Sequence, residues 1–205
     1  MKVSIFGLGY VGAVSLACLA RDGHQVIGVD VDPAKLAMLR EGVTPVVEEG
    51  MVDLVREVVA SGKVTVTEDV REAIHGSEVS LICVGTPSAP NGSQDQSAVL
   101  RLAADIGRAL ADKADTHVLV FRSTLAPGTV ESVVKPIVER ESDKRDGNGF
   151  HLCFQPEFLR EGSSIKDYDK PPFTIVGANH THPVAVLKKL FGHLPCEFIE
   201  TSVGT

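Results

Sequence analysis

The sequence predicts an α/β fold in which a mostly parallel, doubly wound sheet carries helices on both faces. Segments of helical and strand character alternate along all 205 residues. Several strand-length segments are continuously apolar, which is typical of parallel strands buried on both sides. The length is enough for one good core. Because alternating strands and helices form parallel sheets with crossover helices, we expect one Rossmann-like domain over residues 1–205.

The first half of the chain contains the clearest element boundaries. Asp32 is a suitable N-cap, and Pro33 fits the first helical position after it. Gly23 is the predicted C-cap of the first helix. The predicted strands are 2–6, 25–29, 63–66 and 79–84, and the predicted helices are 11–21, 33–40 and 50–60.

The second half continues the alternation of strands and helices, but the residues that mark where elements begin and end are less regular. Pro136 lies inside a predicted helix, which we expect it to kink or end. Residues 141–149 are polar and are predicted to form a surface loop. The predicted helices are 95–112, 127–139 and 182–191, and the predicted strands are 116–121, 150–154, 173–176 and 196–199.

Composition limits the possible functions. A net charge of -7 provides no broad basic field, so we expect neither nucleic-acid binding nor adsorption to a membrane. The cysteines are Cys18, Cys83, Cys153 and Cys196, and they form no C-x-x-C pair. We therefore predict no disulfide framework and no metal site, and the chain fits a reducing cytoplasm.

The amino terminus permits a competing interpretation. Residues 3–20 are uncharged and end in small residues, as a signal peptide or a marginal membrane helix would. Gly7, Gly9 and Gly12 argue against it, because glycines destabilise a continuous helix.

These same glycines form a G-x-G-x-x-G motif between a predicted strand and a predicted helix. In a dinucleotide site, Gly7 permits the tight turn, Gly9 lets the backbone approach the pyrophosphate, and Gly12 lets the helix pack closely. The motif alone is weak evidence, since glycines also occur in plain turns. Here the next strand ends in Asp30, whose carboxylate is placed to accept hydrogen bonds from the adenosine ribose. Asp30 favours NAD over NADP, although Lys35 nearby weakens that preference.

Three further motifs follow later predicted strands. They are Gly85-Thr86-Pro87-Ser88, Arg122-Ser123-Thr124 and the segment 155–162. Each is also common as a turn or a helix cap. Because open α/β sheets bind ligands at the carboxyl ends of their strands, we expect all three to face one crevice.

Together these motifs resemble the UDP-glucose/GDP-mannose dehydrogenase family, over essentially the whole chain. The segment 165–169, followed by Pro171 and Pro172, is more similar to the members that oxidise GDP-mannose than to those that oxidise UDP-glucose. The motifs that carry the resemblance are FGLGYVGAV (6–14), ICVGTPS (82–88), RSTLAPGTV (122–130) and QPEFLREGSSIKDYDKPP (155–172).

The resemblance implies oxidation of the C6 alcohol of a nucleotide sugar to a carboxylate, with two NAD reduced in succession. A cysteine thiol of the family captures the intermediate aldehyde. The resemblance implies that Glu157 handles protons or activates water and that Thr124 helps to hold that water, as the catalytic pair. It assigns cofactor binding to Gly7, Gly9, Tyr10, Val11, Gly12, Asp30, Lys35, Thr86, Thr124 and Glu161, and substrate binding to Glu157, Phe158, Leu159 and Arg160.

The chain departs from the family in two respects. Gln155 stands where the family usually has Asn, which leaves the placement of Glu157 less certain. The family's Gly-Gly-x-Cys motif is absent, and each cysteine here is expected to be a small buried hydrophobe. The resemblance therefore implies the NAD-binding half, without the dimerisation helix and second domain of the family.

Two other classes of function remain open. A regulatory module that only binds NAD would not need Glu157 and Thr124. A complete simple dehydrogenase would need a general base, but the histidines are predicted mostly in turns or at element ends, where solvated histidines are common.

Overall fold

A computed structural model of the chain describes residues 1–88 and 92–204, and its strands form one continuous sheet. The spatial order of the strands is β3-β2-β1-β4-β5-β7-β8-β9, and β6 pairs with β7 outside this path. The strands are β1 (Lys2–Phe6), β2 (Gln25–Val29), β3 (Val64–Thr67), β4 (Val79–Ile82), β5 (His117–Phe121), β6 (Arg145–Asp146), β7 (Gly149–Phe154), β8 (Phe173–Ala178) and β9 (Glu197–Thr201).

The direction of winding reverses at β1, which pairs in parallel with both β2 and β4. The chain builds β1, β2 and β3 outward on one side and then returns to place β4 on the other side. Parallel pairing continues from β4 through β5 to β7, β8 is antiparallel to β7, and β9 is parallel to β8. The predicted mostly parallel, doubly wound sheet is confirmed, and its switch point lies between β1 and β4, where such sheets bind ligands.

Helices cover both faces of the sheet, as predicted. Side chains of β5 show the division, because Val118 and Val120 join one hydrophobic core while Leu119 and Phe121 join the other. The first core is formed with α1, α2, α3 and α8, and the second with α4, α5 and α6. The helices are α1 (Tyr10–Arg21), α2 (Pro33–Arg40), α3 (Met51–Ala60), α4 (Val70–Gly76), α5 (Ser97–Leu110), α6 (Lys135–Ser142), α7 (Ser164–Asp169) and α8 (Thr181–Phe191).

Two short helices, α4 and α7, were not predicted. Each has at most two turns, too few to display a full amphipathic period. The Asp69 side chain caps α4 by accepting from the backbone N–H of Arg71 and Glu72. In α7, Ser164 and Tyr168 are buried against the rest of the fold, so tertiary packing rather than local propensity decides this helix.

Pro136 does not end the helix, because α6 continues through it to Ser142. A π-helical segment, Val130–Val134, precedes α6, and Pro136 then falls within the first turn of α6. A widened turn leaves room for a proline that lacks an N–H.

The prediction of a polar surface loop over residues 141–149 is partly right, because the stretch is turn-rich and mostly exposed or half-buried. It is wrong at two places: α6 extends to the buried Ser142, which Asp143 follows at φ 54°, and β6 begins after Lys144. The side chain of Asp146 is only 2% exposed and accepts the Leu152 N–H at 3.0 Å. A carboxylate that fixes a backbone in this way is buried despite its charge.

Cysteines and histidines follow the predictions only in part. Cys18 and Cys153 are fully buried as predicted, whereas Cys83 and Cys196 are partly exposed. His117 is buried in β5 and contacts Ser80 Oγ at 2.7 Å, and burial lowers its pKa to about 3. His151 is buried in β7. The expectation of solvated histidines is therefore wrong at these two positions.

The uncharged amino-terminal stretch divides into β1, the glycine turn and α1 rather than forming one helix. Among the residues that the structure describes, none of the helices has both the length and the apolar character needed to span a bilayer.

Candidate functional site

A cleft of about 680 Å³ opens at the carboxyl ends of β1, β2 and β4. Its volume lies within the range of about 300–1,000 Å³ that is usual for small-molecule sites. Glycine backbone forms one wall, and α5 forms another with both apolar and charged side chains, which are those of Ala98, Leu102, Arg101 and Asp105. The residues predicted to bind cofactor that line it are Gly7, Gly9, Tyr10, Val11, Asp30 and Lys35.

The three motif glycines differ in what an added side chain would meet. Gly7 has φ 91°, and a Cβ there would meet the Cys83 carbonyl at 3.0 Å. A Cβ on Gly12 would lie 1.8 Å from the Gly7 carbonyl oxygen, so α1 packs on the turn only because Gly12 has no side chain. A Cβ on Gly9 would meet nothing within 4 Å. The space in front of Gly9 is therefore open to a ligand.

The first turn of α1 faces this space with its backbone donors free. Gly9 is the N-cap and supplies no side-chain hydrogen bond, and the first turn contains no acidic residue. Helix N-termini of this kind attract anions through free N–H groups and the helix dipole. A pyrophosphate is the ligand group that fits here.

The Asp30 carboxylate, with only 8% of its side chain exposed, joins the glycine turn to the end of β2. It accepts the Leu8 N–H at 2.6 Å and the Asp32 N–H at 2.9 Å. Lys35 Nζ lies 3.5 Å from the same carboxylate. Asp30 is therefore fixed in orientation and keeps lone pairs for ribose hydroxyls, while Lys35 balances its charge.

The loops after β4 and β5 are joined to each other. The Thr86 hydroxyl donates to the Thr124 carbonyl at 2.8 Å, and the Ser123 hydroxyl donates to the Val84 carbonyl at 2.6 Å. The structure therefore brings Thr86 and Thr124 together, although the Thr124 side chain is exposed. Both residues lie beside the cofactor cleft rather than among the residues that line it.

The segment 155–162 forms a second cavity beside the cofactor cleft. Glu157, Phe158 and Leu159 line this cavity together with the buried Arg122. The Leu159 N–H donates to Glu157 at 2.7 Å, which holds the carboxylate across its own loop. Arg122, which directly follows β5, donates to Ser15 Oγ at 2.9 Å. A cation therefore lies in the wall of this cavity.

The remaining predicted residues differ in their surroundings. Phe158 packs edge-on against Phe173, with ring centroids 4.9 Å apart. Arg160 pairs with Asp167 at 2.7 Å, and this guanidinium holds the pKa of the Asp167 carboxyl well below its usual range. Glu161 is exposed in the turn that follows, and it lies outside the lining of the cofactor cleft. The roles assigned to these residues stay predictions.

Gln155, the departure from the family pattern, is buried at the carboxyl end of β7. Its backbone N–H extends the pairing by donating to Phe121 at 2.9 Å. Its side-chain oxygen is buried and has no hydrogen-bond partner within the described part of the chain. The Nε of Arg122 also lacks a partner there, and both Gln155 and Arg122 line the cavity beside Glu157.

The sequence did not reveal Glu48, which connects the two halves of the site. The Tyr10 hydroxyl donates a short hydrogen bond to Glu48, and the N–H groups of Gly162 and Ser164 donate to the same carboxylate at 2.8 and 3.3 Å. Glu48 is 9% exposed. Tyr10 belongs to the cofactor cleft and Gly162 to the end of the 155–162 loop, so Glu48 positions one relative to the other. No motif marks a residue so distant in sequence.

We expect Glu48→Gln to reduce the free energy of unfolding by about 1–3 kcal/mol. An amide NH2 would replace one carboxylate oxygen, and the Tyr10, Gly162 or Ser164 donor that bonds to this oxygen would lose its acceptor. These hydrogen bonds lower the pKa of Glu48 from 4.5. A carboxyl whose folded pKa is lowered stabilises the fold above its unfolded pKa and loses that effect as pH falls through the folded pKa. Urea unfolding at pH 7 and at lower pH measures both effects. If the difference in the free energy of unfolding between variant and wild type stays constant as the pH falls into the acid range, the assigned pKa shift of Glu48 is wrong. Glu49→Gln, at an exposed neighbouring position, is the control.

Comparison with known proteins gives consistent matches. The model of the UDP-glucose/GDP-mannose dehydrogenase family, NAD binding domain, matches residues 1–195. The chain is 43% identical over 204 residues to a GDP-mannose 6-dehydrogenase of Pseudomonas syringae pv. syringae, covering 100% of this chain and 47% of that protein. It is 37% identical over 194 residues to a UDP-glucose 6-dehydrogenase of Haloferax volcanii, covering 95% of this chain and 45% of that protein.

A crystal structure also matches over the whole chain. It is a ternary complex of GDP-mannose dehydrogenase from Pseudomonas aeruginosa, with a TM-score of 0.98 and 42% identity, covering 100% of this chain and 47% of that one. The chain thus spans about half the length of the relatives that it matches.

Proposed function

Because this chain belongs to the UDP-glucose/GDP-mannose dehydrogenase family through its NAD-binding domain, we propose that it forms the cofactor-binding half of a nucleotide-sugar 6-dehydrogenase. The proposed reaction oxidises the C6 alcohol of GDP-mannose to a carboxylate in two NAD-dependent steps. The observation that carries the proposal is the 43% identity to a GDP-mannose 6-dehydrogenase along the full chain, together with the glycine-lined cleft at the switch point.

NAD fits the residues present in the cleft. The open space at Gly9 and the free N–H groups of α1 suit the pyrophosphate. Asp30 accepts from ribose hydroxyls and disfavours a 2'-phosphate. The bound cofactor supplies the acceptor for the hydride that leaves C6.

In this proposal the chain's own residues orient the substrate end and manage the proton. Glu157, held by the Leu159 N–H, takes or positions a proton within hydrogen-bond reach of the reacting oxygen or water. Thr124 orients the water, and Thr86 holds the Thr124 backbone in place. The exposed Phe158, with Leu159 and Arg160, contributes to the nucleotide-sugar side.

UDP-glucose is the second candidate substrate, and the match to the Haloferax volcanii enzyme supports it. The higher identity to GDP-mannose enzymes favours GDP-mannose.

The proposal for the whole enzyme also includes dimer formation. It includes a reducing compartment such as the cytoplasm, and the four free cysteines are consistent with such a compartment.

An activity assay distinguishes the proposed dehydrogenase half from a module that only binds NAD. We expect the purified chain to bind NAD in preference to NADP by calorimetry, and to produce negligible NADH from GDP-mannose, because no Gly-Gly-x-Cys motif supplies the thiol. Adding the carboxyl-terminal half of a GDP-mannose relative should restore NADH formation, and Glu157→Gln should abolish the restored activity while leaving NAD affinity unchanged. Robust conversion by the chain alone would contradict the proposal, and so would restored activity that is indifferent to Glu157→Gln.

A further inference from the structure

A cluster of imidazole and carboxylate groups lies near the amino end of β7, away from the carboxyl ends that form the cofactor cleft. It consists of Asp146, His151 and His180, whose ligand-forming atoms all lie within 4.8 Å of one another. These residues come from β6, from β7 and from the residue that precedes α8. The functions proposed above use none of them.

Two members of the cluster are deeply buried. The side chain of Asp146 is 2% exposed and His151 is 9% exposed. The Nδ1 atom of His151 is buried and has no hydrogen-bond partner among residues 1–88 and 92–204. A buried imidazole nitrogen without a partner is costly to a fold. This nitrogen is therefore available to a ligand.

Asp146 supplies the negative charge of the cluster, and Lys135 balances it in the structure. One oxygen of Asp146 accepts the Leu152 N–H at 3.0 Å. The other lies 3.6 Å from His180 Nε2 and 3.7 Å from Lys135 Nζ. The Lys135 side chain is 35% exposed, so it has access to solvent if another cation replaces it.

The histidines are suited to act as ligands. Imidazole nitrogen is a common ligand of divalent transition metals, and the rings of His151 and His180 meet edge-on with centroids 5.1 Å apart. The ring of His182 stacks on that of His151 with centroids 4.9 Å apart, which places a third imidazole next to the cluster.

We propose that Asp146, His151 and His180 bind a divalent transition-metal ion, in the first place Zn²⁺. Nitrogen and carboxylate oxygen are the ligands that this ion accepts at about 2.0–2.2 Å, with water or a further imidazole completing a tetrahedron. The ligand atoms must draw together to reach those distances. The side chain of His180 is 38% exposed, and its ring packs against the backbone of Gly147. The bound ion would fasten the β6–β7 connection to the start of α8, as a structural site.

Zinc binding by the full chain tests the proposal. We expect one equivalent of Zn²⁺ to bind in competition with a chromophoric chelator, and Co²⁺ to give the intense visible absorption of a tetrahedral site. His180→Gln should weaken Zn²⁺ binding by about tenfold or more, while leaving NAD affinity unchanged. His75→Gln is the matched control, because His75 also lies beside a carboxylate, 3.2 Å from Asp112, but outside the cluster.

Two results would overturn this site. The first is a wild-type chain whose Co²⁺ spectrum remains that of the hydrated ion. The second is Zn²⁺ affinity that His180→Gln and His75→Gln change equally. The Co²⁺ spectrum needs no variant, so it decides the question even if His180→Gln fails to fold.

Discussion

Replacing Gly12 with alanine is expected to destabilise the chain by about 3 kcal/mol or more and to abolish measurable NAD binding. The added Cβ would stand 1.8 Å from the Gly7 carbonyl oxygen, and the next contact is again backbone, at 3.0 Å. Neither contact is a flexible side chain that could turn away, so α1 must move off the turn. Overpacking usually costs about 1–3 kcal/mol, and more where the backbone must shift. Urea unfolding and NAD calorimetry measure the two effects.

Gly9→Ala is the matched control, and it separates packing from ligand approach. Gly9 has φ -71°, which alanine adopts freely, and its Cβ would meet nothing within 4 Å. We expect normal stability but weaker NAD binding, because the methyl group occupies the space intended for the pyrophosphate. If Gly12→Ala folds and binds NAD like wild type, the assigned role of this turn is wrong.

Asp30→Ala is expected to raise the Kd for NAD by about 10–100-fold and to remove most of the preference over NADP. Hydrogen bonds to a charged group contribute about 1.5–3 kcal/mol, and each 1.4 kcal/mol changes affinity about tenfold. The variant loses the acceptor for the ribose and also the acceptor for the Leu8 N–H, which loosens the glycine turn. Calorimetry with NAD and with NADP measures both quantities.

Asp32→Asn provides the control for Asp30→Ala, because Asp32 carries a similar charge two residues away but acts as the N-cap of α2. Asparagine caps helices about as well as aspartate, so this variant should keep wild-type stability and cofactor preference. Equal losses in the two variants would point to net charge rather than to the placement of Asp30.

The parts of this molecule that depend on local chemistry could be predicted from its sequence. Gly7, Gly9 and Gly12 constrain backbone geometry wherever a strand meets a helix so closely. Asp32 and Pro33 fix the start of α2 by neighbouring hydrogen bonds. Continuous apolar residues identify β4 and β5 because both faces of those strands are covered.

The features that were missed depend on contacts distant in sequence. Glu48 becomes important only because the fold brings it to Tyr10 and Gly162. Asp146 lies in a polar stretch, and its burial follows from the Leu152 N–H that it accepts. His151 alternates with apolar neighbours in β7, a pattern that by itself places it on the solvent face, so both its burial and its proximity to His180 depend on the fold.

The hydrogen bonds of Tyr10 have a thermodynamic consequence for the enzyme that we propose. Tyr10 lines the cofactor cleft, and its hydroxyl contacts Glu48 and the Arg160 carbonyl. In that enzyme, coupling between NAD in the cleft and a nucleotide sugar at the 155–162 loop would pass through these contacts. Such coupling is reciprocal: by whatever factor the nucleotide sugar tightens the binding of NAD, NAD must tighten the binding of the nucleotide sugar.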